Sequence, residues 1–351
     1  MAKSYLLKVS KLIKETPQSV SVFFEIPNKL ASDFTFTAGQ YLTLETEIDG
    51  KKVRRSYSIS STPHSGEISV VIKEVKDGAF SVFANNHLKL GDTLTVFPPE
   101  GRFVFQPKSE KANHYAAFAA GSGITPIMSI LQTALEKEPQ STFLLVYGNK
   151  SPKDTIFLSQ LNALKSLYPD RFLIEYVYSQ TMEDEAQFGR IDAAIINYFL
   201  SNKYGQLTFD SYFLCGPETM IETVREILKS KEVPETKVHF ELFTSPDAVD
   251  LIIEATAEGF TTLTITLDDE ITTIVMPQNK AVLDVALEEG LDPPYSCQGG
   301  ICSTCIGRIT EGKAQMRKNQ ILTDSEVAEG LILTCQAHPT TSILKIDYDD
   351  V

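Results

Sequence analysis

The stretch Cys297-Gln298-Gly299-Gly300-Ile301-Cys302-Ser303-Thr304-Cys305, answered by Cys335 thirty residues further on, decides the C-terminal fold of this 351-residue chain. Three thiolates ring a short loop and a fourth closes from far along the chain, a spacing that points to a [2Fe-2S] cluster. Gly299 and Gly300 suit such a loop, where backbone wrapped around inorganic sulfides needs positive φ and no side-chain bulk. Zinc is the main rival reading, but structural zinc usually pairs two short knuckles of ligands, and here the fourth cysteine stands alone. A Rieske cluster needs two histidine ligands, and His64, His87, His114, His239 and His338 show no ligand spacing. Disulfides fit less well, because nothing at the N-terminus reads as a signal peptide. A reducing, cytoplasmic compartment is the expectation.

Working outward from that loop, residues 259–351 alternate Leu263, Ile265 and Leu267, continue through Thr272 to Val275, and carry an amphipathic helix near Ala281 to Glu289. This is β-grasp material. Residues 244–258 hold a Ser-Pro-Asp turn and read as a linker, with Val249 to Ala255 open to a short helix or strand. Residues 109–243 repeat strand, turn and helix: Tyr115 to Ala119 with Pro126 to Glu136, Phe143 to Tyr147 with Thr155 to Leu167, Phe172 to Tyr178, and Tyr212 to Cys215 with Thr219 to Lys229. The strand His239 to Phe243 ends that series. Such a rhythm predicts an α/β doubly wound parallel sheet. Residues 1–108 alternate with period two in Val20, Val22 and Phe24, from Tyr41 to Glu45, and from Ser69 to Val75, which predicts a small antiparallel β-barrel interrupted by a helix around Ser81 to Leu88.

Charge narrows the function classes. A formal net charge of −14 and a pI near 4.9 argue against nucleic-acid binding, which relies on a basic surface. From Ala257 onward six Lys and Arg face fifteen Asp and Glu, so the cysteine-bearing end is acidic enough to steer a basic partner, or simply well solvated. No apolar run approaches the eighteen or so residues that argue for a membrane span, so integral membrane association is not expected.

Three further motifs carry chemistry. Arg55-Ser56-Tyr57-Ser58 lies on an expected strand, so Arg55 and Tyr57 share one face and Ser56 and Ser58 the other. Arg55 suits a pyrophosphate, Tyr57 an aromatic ring and Ser58 a ring nitrogen, although an alternating surface strand would look the same. Gly78-Ala79-Phe80-Ser81 opens a helix whose free N–H groups make an anion site, or is a simple turn with Ser81 as N-cap. Gly121-Ser122-Gly123-Ile124-Thr125-Pro126 joins strand to helix like a dinucleotide loop, with Pro126 where the strict fingerprint has its third glycine. Thr125 reads as N-cap and Pro126 as the first helical residue. Cys215-Gly216-Pro217 occupies the equivalent place after a later strand, where open α/β sheets present their ligands.

Together these residues resemble the ferredoxin–NADP reductase superfamily, specifically members with a C-terminal plant-type ferredoxin such as the reductases of phenylacetyl-CoA epoxidases and related oxygenases. The resemblance spans essentially the whole chain. It implies that Arg55, Ser56, Tyr57 and Ser58 match the flavin-binding R-x-Y-S motif, and that Val71, Lys73, Gly78, Phe80 and Ser81 match stretches holding the rest of FAD. Gly121, Ser122, Gly123, Thr125 and Pro126 then match the nicotinamide nucleotide loop, and Cys215, Gly216 and Pro217 the C-G-P motif. Glu241 and Phe243 match the E-x-F ending of the reductase module, although a chain that runs on past Phe243 does not use it as a terminal flavin cover.

The implied activity passes electrons from NAD(P)H through FAD to the cluster and on to a partner oxygenase of the phenylacetyl-CoA epoxidase type. Ser58, Cys215 and Glu241 would shape the site of hydride transfer. Other acceptors, a hydroxylase or a hybrid-cluster protein, remain open, as does a non-enzymatic redox sensor or electron carrier; rapid diaphorase activity separates the sensor from the enzyme. In Gly148-Asn149-Lys150-Ser151, where such enzymes meet the adenosine ribose, no acid is present. Lys150 supplies charge there and Asn149 with Ser151 supplies hydrogen bonds, which favours NADPH over NADH, although one more solvated surface lysine would look the same.

Overall fold

The computed structural model describes residues 3–108, 110–243 and 259–351. They form two compact units: the first holds residues 5–53 and 57–243, the second residues 259–351 together with residues 3–4 and Arg54–Ser56. The expected linker, 244–258, lies outside the described residues.

The first layer contains β1 (Tyr5–Thr16), β2 (Ser19–Glu25), β3 (Tyr41–Ile48), β4 (Lys51–Ser58), β5 (Ile68–Lys73), α1 (Ala79–Asn86) and β6 (Thr93–Val96). The strands form a sheet in the order β4-β3-β6-β1-β2-β5. An antiparallel bridge between Ile59 and Val70 draws its two ends together, giving the expected barrel. Apolar residues two apart, such as Leu7 and Val9, Val22 and Phe24, or Leu94 and Val96, fill its buried core. Helix α1 starts two residues before the expected Ser81, with Gly78 as its N-cap. Ser81 lies inside the first turn; its hydroxyl accepts from the Val75 amide at 3.1 Å and donates to the Gly78 carbonyl at 3.2 Å, so it braces the turn instead of capping it.

The α/β layer follows with β7 (His114–Ala120), α2 (Ile124–Lys137), β8 (Thr142–Asn149), α3 (Leu158–Leu167), β9 (Phe172–Tyr178), β10 (Ala186–Phe188), α4 (Ala193–Asn197), β11 (Ser211–Gly216), α5 (Glu218–Ser230) and β12 (Val238–Leu242). Its parallel order is β10-β9-β8-β7-β11-β12. The chain moves outward from β7 through β10, then returns to β7's other flank at β11. That reversal opens a crevice at the carboxyl ends of β7 and β11, where the Gly121 and Cys215 turns lie. Ala116, Ala117 and Ala119 of β7 are fully buried, as a central strand covered on both faces requires.

Two expected helix starts are corrected. Helix α2 begins at Ile124, straight out of a 3₁₀ turn at Gly121–Gly123, so Pro126 is its third residue; Thr125 donates to the Ser122 carbonyl at 3.1 Å instead of capping. Pro126 still costs no hydrogen bond there, because the first four helical amides lack partners. Helix α3 begins at Leu158, not Thr155, because Pro152–Asp154 forms a separate 3₁₀ turn and Phe157 adopts a left-handed conformation at φ 64°.

The second unit holds β13 (Phe260–Leu267), β14 (Glu270–Pro277), α6 (Val282–Glu288), β15 (Ile306–Met316), α7 (Asp324–Ala328), β16 (Leu331–Leu333) and β17 (Ala337–Asp347). The mixed sheet runs β14-β13-β17-β15-β16, with β13 and β17 parallel, and buries Val282, Val285 and Ala286 of α6 against Leu263, Leu344 and Ile346. This is the β-grasp arrangement. The long strands β1 and β17 fall outside the expected elements.

Candidate functional site

Strands β11 and β12 pair in parallel, with Cys215 opposite Glu241, and β4 delivers Ser58 to the same place. The Ser58 hydroxyl donates to Glu241 Oε2 at 3.0 Å, across 183 residues of sequence. Cys215 is fully buried, and burial followed by the Glu241 charge pushes its thiol well above the ordinary range, so it is held neutral. The three residues expected at the reacting centre are therefore adjacent. Gly123 makes the crevice possible: a Cβ there would stand 2.1 Å from the Cys215 carbonyl oxygen, so the two turns touch through bare backbone.

On the flavin side, Arg55, Ser56 and Tyr57 lie half-buried along β4. The Tyr57 ring meets Phe80 at 5.6 Å, which sets the start of α1 beside the strand. An aromatic ring beside the start of a helix N-capped by Gly78 fits a flat cofactor bearing a pyrophosphate. Phe80 and Val71 are buried, Phe80 in the barrel core and Val71 with Ala38, Phe103 and Phe105 in the core of the nucleotide layer. Their side chains turn inward, so backbone is what they offer a ligand.

Lys73 has a different neighbourhood from the flavin role that its motif implies. A Cβ on Gly121 would stand 3.3 Å from Lys73 Nζ, so this amine reaches the nucleotide loop. Burial first, and then the Lys150 charge, lowers its pKa, while Asp154 opposes them. Lys73, Lys150 and Asp154 are thus one electrostatic group. Asp154 lies just beyond the window that reads as free of acids, and its carboxylate accepts the Ser151 hydroxyl at 2.6 Å. The Pro152 turn folds that acid back, a signal present in Ser151-Pro152-Lys153-Asp154. Asn149 ends β8, and Tyr147 on the same strand donates its hydroxyl to the Gly121 carbonyl at 3.0 Å, bracing the glycine turn.

In the second unit the thiols come as two pairs. Cys305 donates to Cys335 across 3.3 Å, and Cys302 donates to Cys297. That bond, with the Gly299 and Ile301 amides acting against burial, brings Cys297 down to about 7. Among the described residues no three His, Cys, Asp or Glu side chains close around a single-ion position. Two pairs of thiols, three of them from a loop whose amides turn inward and the fourth from Cys335, fit a cluster of two irons, each taking two thiolates.

Three family models match the chain: an oxidoreductase FAD-binding domain over residues 7–105, an oxidoreductase NAD-binding domain over 118–226, and a 2Fe-2S iron-sulfur cluster binding domain over 265–340. The chain is 37% identical to a subunit of 1,2-phenylacetyl-CoA epoxidase from Escherichia coli, covering 99% of each. It belongs to the ferredoxin–NADP reductase superfamily, in the branch ending in a [2Fe-2S] ferredoxin. Another member, the ferredoxin reductase component of 3-ketosteroid-9-alpha-monooxygenase from Rhodococcus rhodochrous, is 34% identical over 99% of this chain and 97% of its own. The fold matches that of phthalate dioxygenase reductase with a TM-score of 0.63 at 22% identity, covering 98% of both chains. As a member of this superfamily the chain is an oxidoreductase with FAD, NAD and [2Fe-2S] domains, and among its described residues no helix is long and apolar enough to cross a membrane.

Proposed function

We propose that this reductase takes electrons preferentially from NADPH and delivers them, in the cytoplasm, to a terminal oxygenase of the phenylacetyl-CoA epoxidase type. The likeness to the epoxidase component over the full length of both chains supports that acceptor. Bound FAD supplies the step between a two-electron hydride donor and an iron-sulfur cluster that takes single electrons.

The observation that carries the site assignment is the contact of Ser58 with Glu241 in register with Cys215. Ser58 orients the Glu241 carboxylate at the edge of the nicotinamide position. The neutral Cys215 thiol gives that position a small wall without a competing charge. Turns Gly121–Gly123 and Cys215–Pro217 seat the dinucleotide backbone and exclude water from the crevice floor. Lys73 and Lys150 neutralise its phosphates, and the exposed Lys150 meets the 2′-phosphate. Arg55 pairs with the flavin pyrophosphate, Tyr57 covers the ring, and Cys297, Cys302, Cys305 and Cys335 ligate the cluster.

Mixing the purified chain with phenylacetyl-CoA epoxidase catalytic subunits and NADPH tests the proposal: epoxide should form only when both proteins are present. Normal reduction of ferricyanide and cytochrome c without epoxide would reject the acceptor while leaving the reductase intact.

A further inference from the structure

Cys335 must keep register with a loop thirty residues away, and both of its neighbours reach back to that loop. The fully buried Thr334 donates its hydroxyl to the Cys305 carbonyl at 2.9 Å, and its amide reaches the same oxygen at 3.0 Å. Gln336, 5% exposed, donates Nε2 to the Gln298 carbonyl at 3.0 Å. Its own carbonyl accepts the Arg317 amide at 3.0 Å, which fixes its backbone. Gln298, next to the first ligand, is held at φ 52°, a left-handed conformation that disfavours any residue with a Cβ. Two positions on, Gly300 takes the same hand at φ 71°; a Cβ there would lie 2.6 Å from the Lys318 carbonyl oxygen and 3.0 Å from Gln336 Cγ. The loop is pressed onto the Gln336 side chain.

We infer that Gln336 is a positioning residue for the iron-sulfur cluster: its amide clasps Gln298 in the left-handed turn that presents Cys297 and Cys302 alongside Cys305 and Cys335. It ligates nothing. This rests on the four cysteines being the cluster ligands, and it assigns to the residue after the fourth ligand the task of holding the loop of the first. Gly300 makes the turn sterically possible, whereas Gln298 stays in it against its own preference. A hydrogen bond to a part-buried carbonyl is the right scale of restraint, about tenfold in an equilibrium.

The test is iron retention by the full-length protein, followed as loss of visible absorbance to an excess of iron chelator. Wild-type iron content is measured first; a chain without iron would overturn the ligand assignment itself, before any variant is made. Gln336→Met keeps length and bulk but removes the donor, and should release iron about tenfold faster with FAD content unchanged. Adding Gln298→Gly, which relieves the left-handed cost, should restore most of the retention. A residue that only fills space would tolerate methionine and gain nothing from the glycine. Release from Gln336→Met at the wild-type rate, or a double variant no better than the single, overturns the inference. If Gln336→Met purifies without iron, anaerobic reconstitution decides: cluster formation in the double variant alone supports the clasp, and failure in both overturns it.

Discussion

The hydroxyl of the buried Ser58 lies 3.0 Å from Glu241, so removing it leaves a carboxylate oxygen short of a donor where the nicotinamide is expected. Ser58→Ala should slow reduction of the flavin by NADPH about tenfold in anaerobic stopped-flow, the scale of one charge-assisted hydrogen bond, while FAD stays bound. An unchanged reduction rate would remove Ser58 from the reacting centre. At Lys73, burial and Lys150 lower the pKa, so the folded chain holds this proton less tightly than the unfolded one. The charged amine therefore opposes folding below its folded pKa, and the opposition fades as pH rises from there toward the unfolded value of about 10.4. Lys73→Met should raise the thermal midpoint at neutral pH, lose that advantage in alkali, and raise KM for NADPH about tenfold through the lost phosphate contact. A lower midpoint with an unaltered KM would return Lys73 to the flavin. Lys150 is exposed, and Lys150→Ala should lower kcat/KM for NADPH about tenfold while barely changing that for NADH. Equal losses with both nucleotides, or a wild-type preference for NADH, would refute the 2′-phosphate contact.

Among the elements, α2 is tied to the start of β7 by one carboxylate. Glu138, fully buried just past the last turn of α2, accepts from the Lys108 amide at 2.6 Å, Ser141 Oγ at 2.5 Å, Tyr115 OH at 2.9 Å and Asn113 Nδ2 at 3.2 Å. Its backbone carbonyl takes Arg171 Nη1 at 2.9 Å. An amide at this position would point its NH₂ at a donor, so Glu138→Gln should cost about 2–4 kcal/mol of stability in the first unit. Chemical denaturation followed by flavin release would measure it, and a variant as stable as wild type would show the carboxylate to be dispensable. Nothing local announces this role, since a Glu after a helix reads as an ordinary solvated residue until Lys108, Asn113, Tyr115 and Ser141 fold around it. The element types were legible for a plain reason: period-two and strand-turn-helix patterns are consequences of which face is buried. The starts of α2 and α3 were not, because a 3₁₀ turn and a left-handed Phe157 consume residues whose composition suits a helix.

For the whole molecule, the described residues of 259–351 have hydrophobic clusters of their own, one around Leu263, Val282 and Leu344 and another around Leu283, Cys305 and Leu333. Loss of the cluster should therefore leave the flavin module folded. Cys302→Ser should abolish the cluster's visible absorbance and cytochrome c reduction, yet retain about one FAD per chain and ferricyanide reduction by NADPH. Concurrent loss of FAD would contradict that independence. Local sequence settles the parts: the spacing of Cys297, Cys302, Cys305 and Cys335, the R-x-Y-S strand, the glycine turn and the order of barrel, parallel sheet and β-grasp are readable because ligand spacing and side-chain periodicity are properties of neighbouring residues. It took folding in three dimensions to bring Ser58 to Glu241 and Lys73 to the Gly121 turn, to face Val71 and Phe80 inward, and to set Gln336 against Gln298. Each of those arrangements depends on residues distant in sequence, and the energy that brings them together comes from burying apolar strands and helices, a driving force that has no direction and leaves no mark on the particular polar pairs it places side by side.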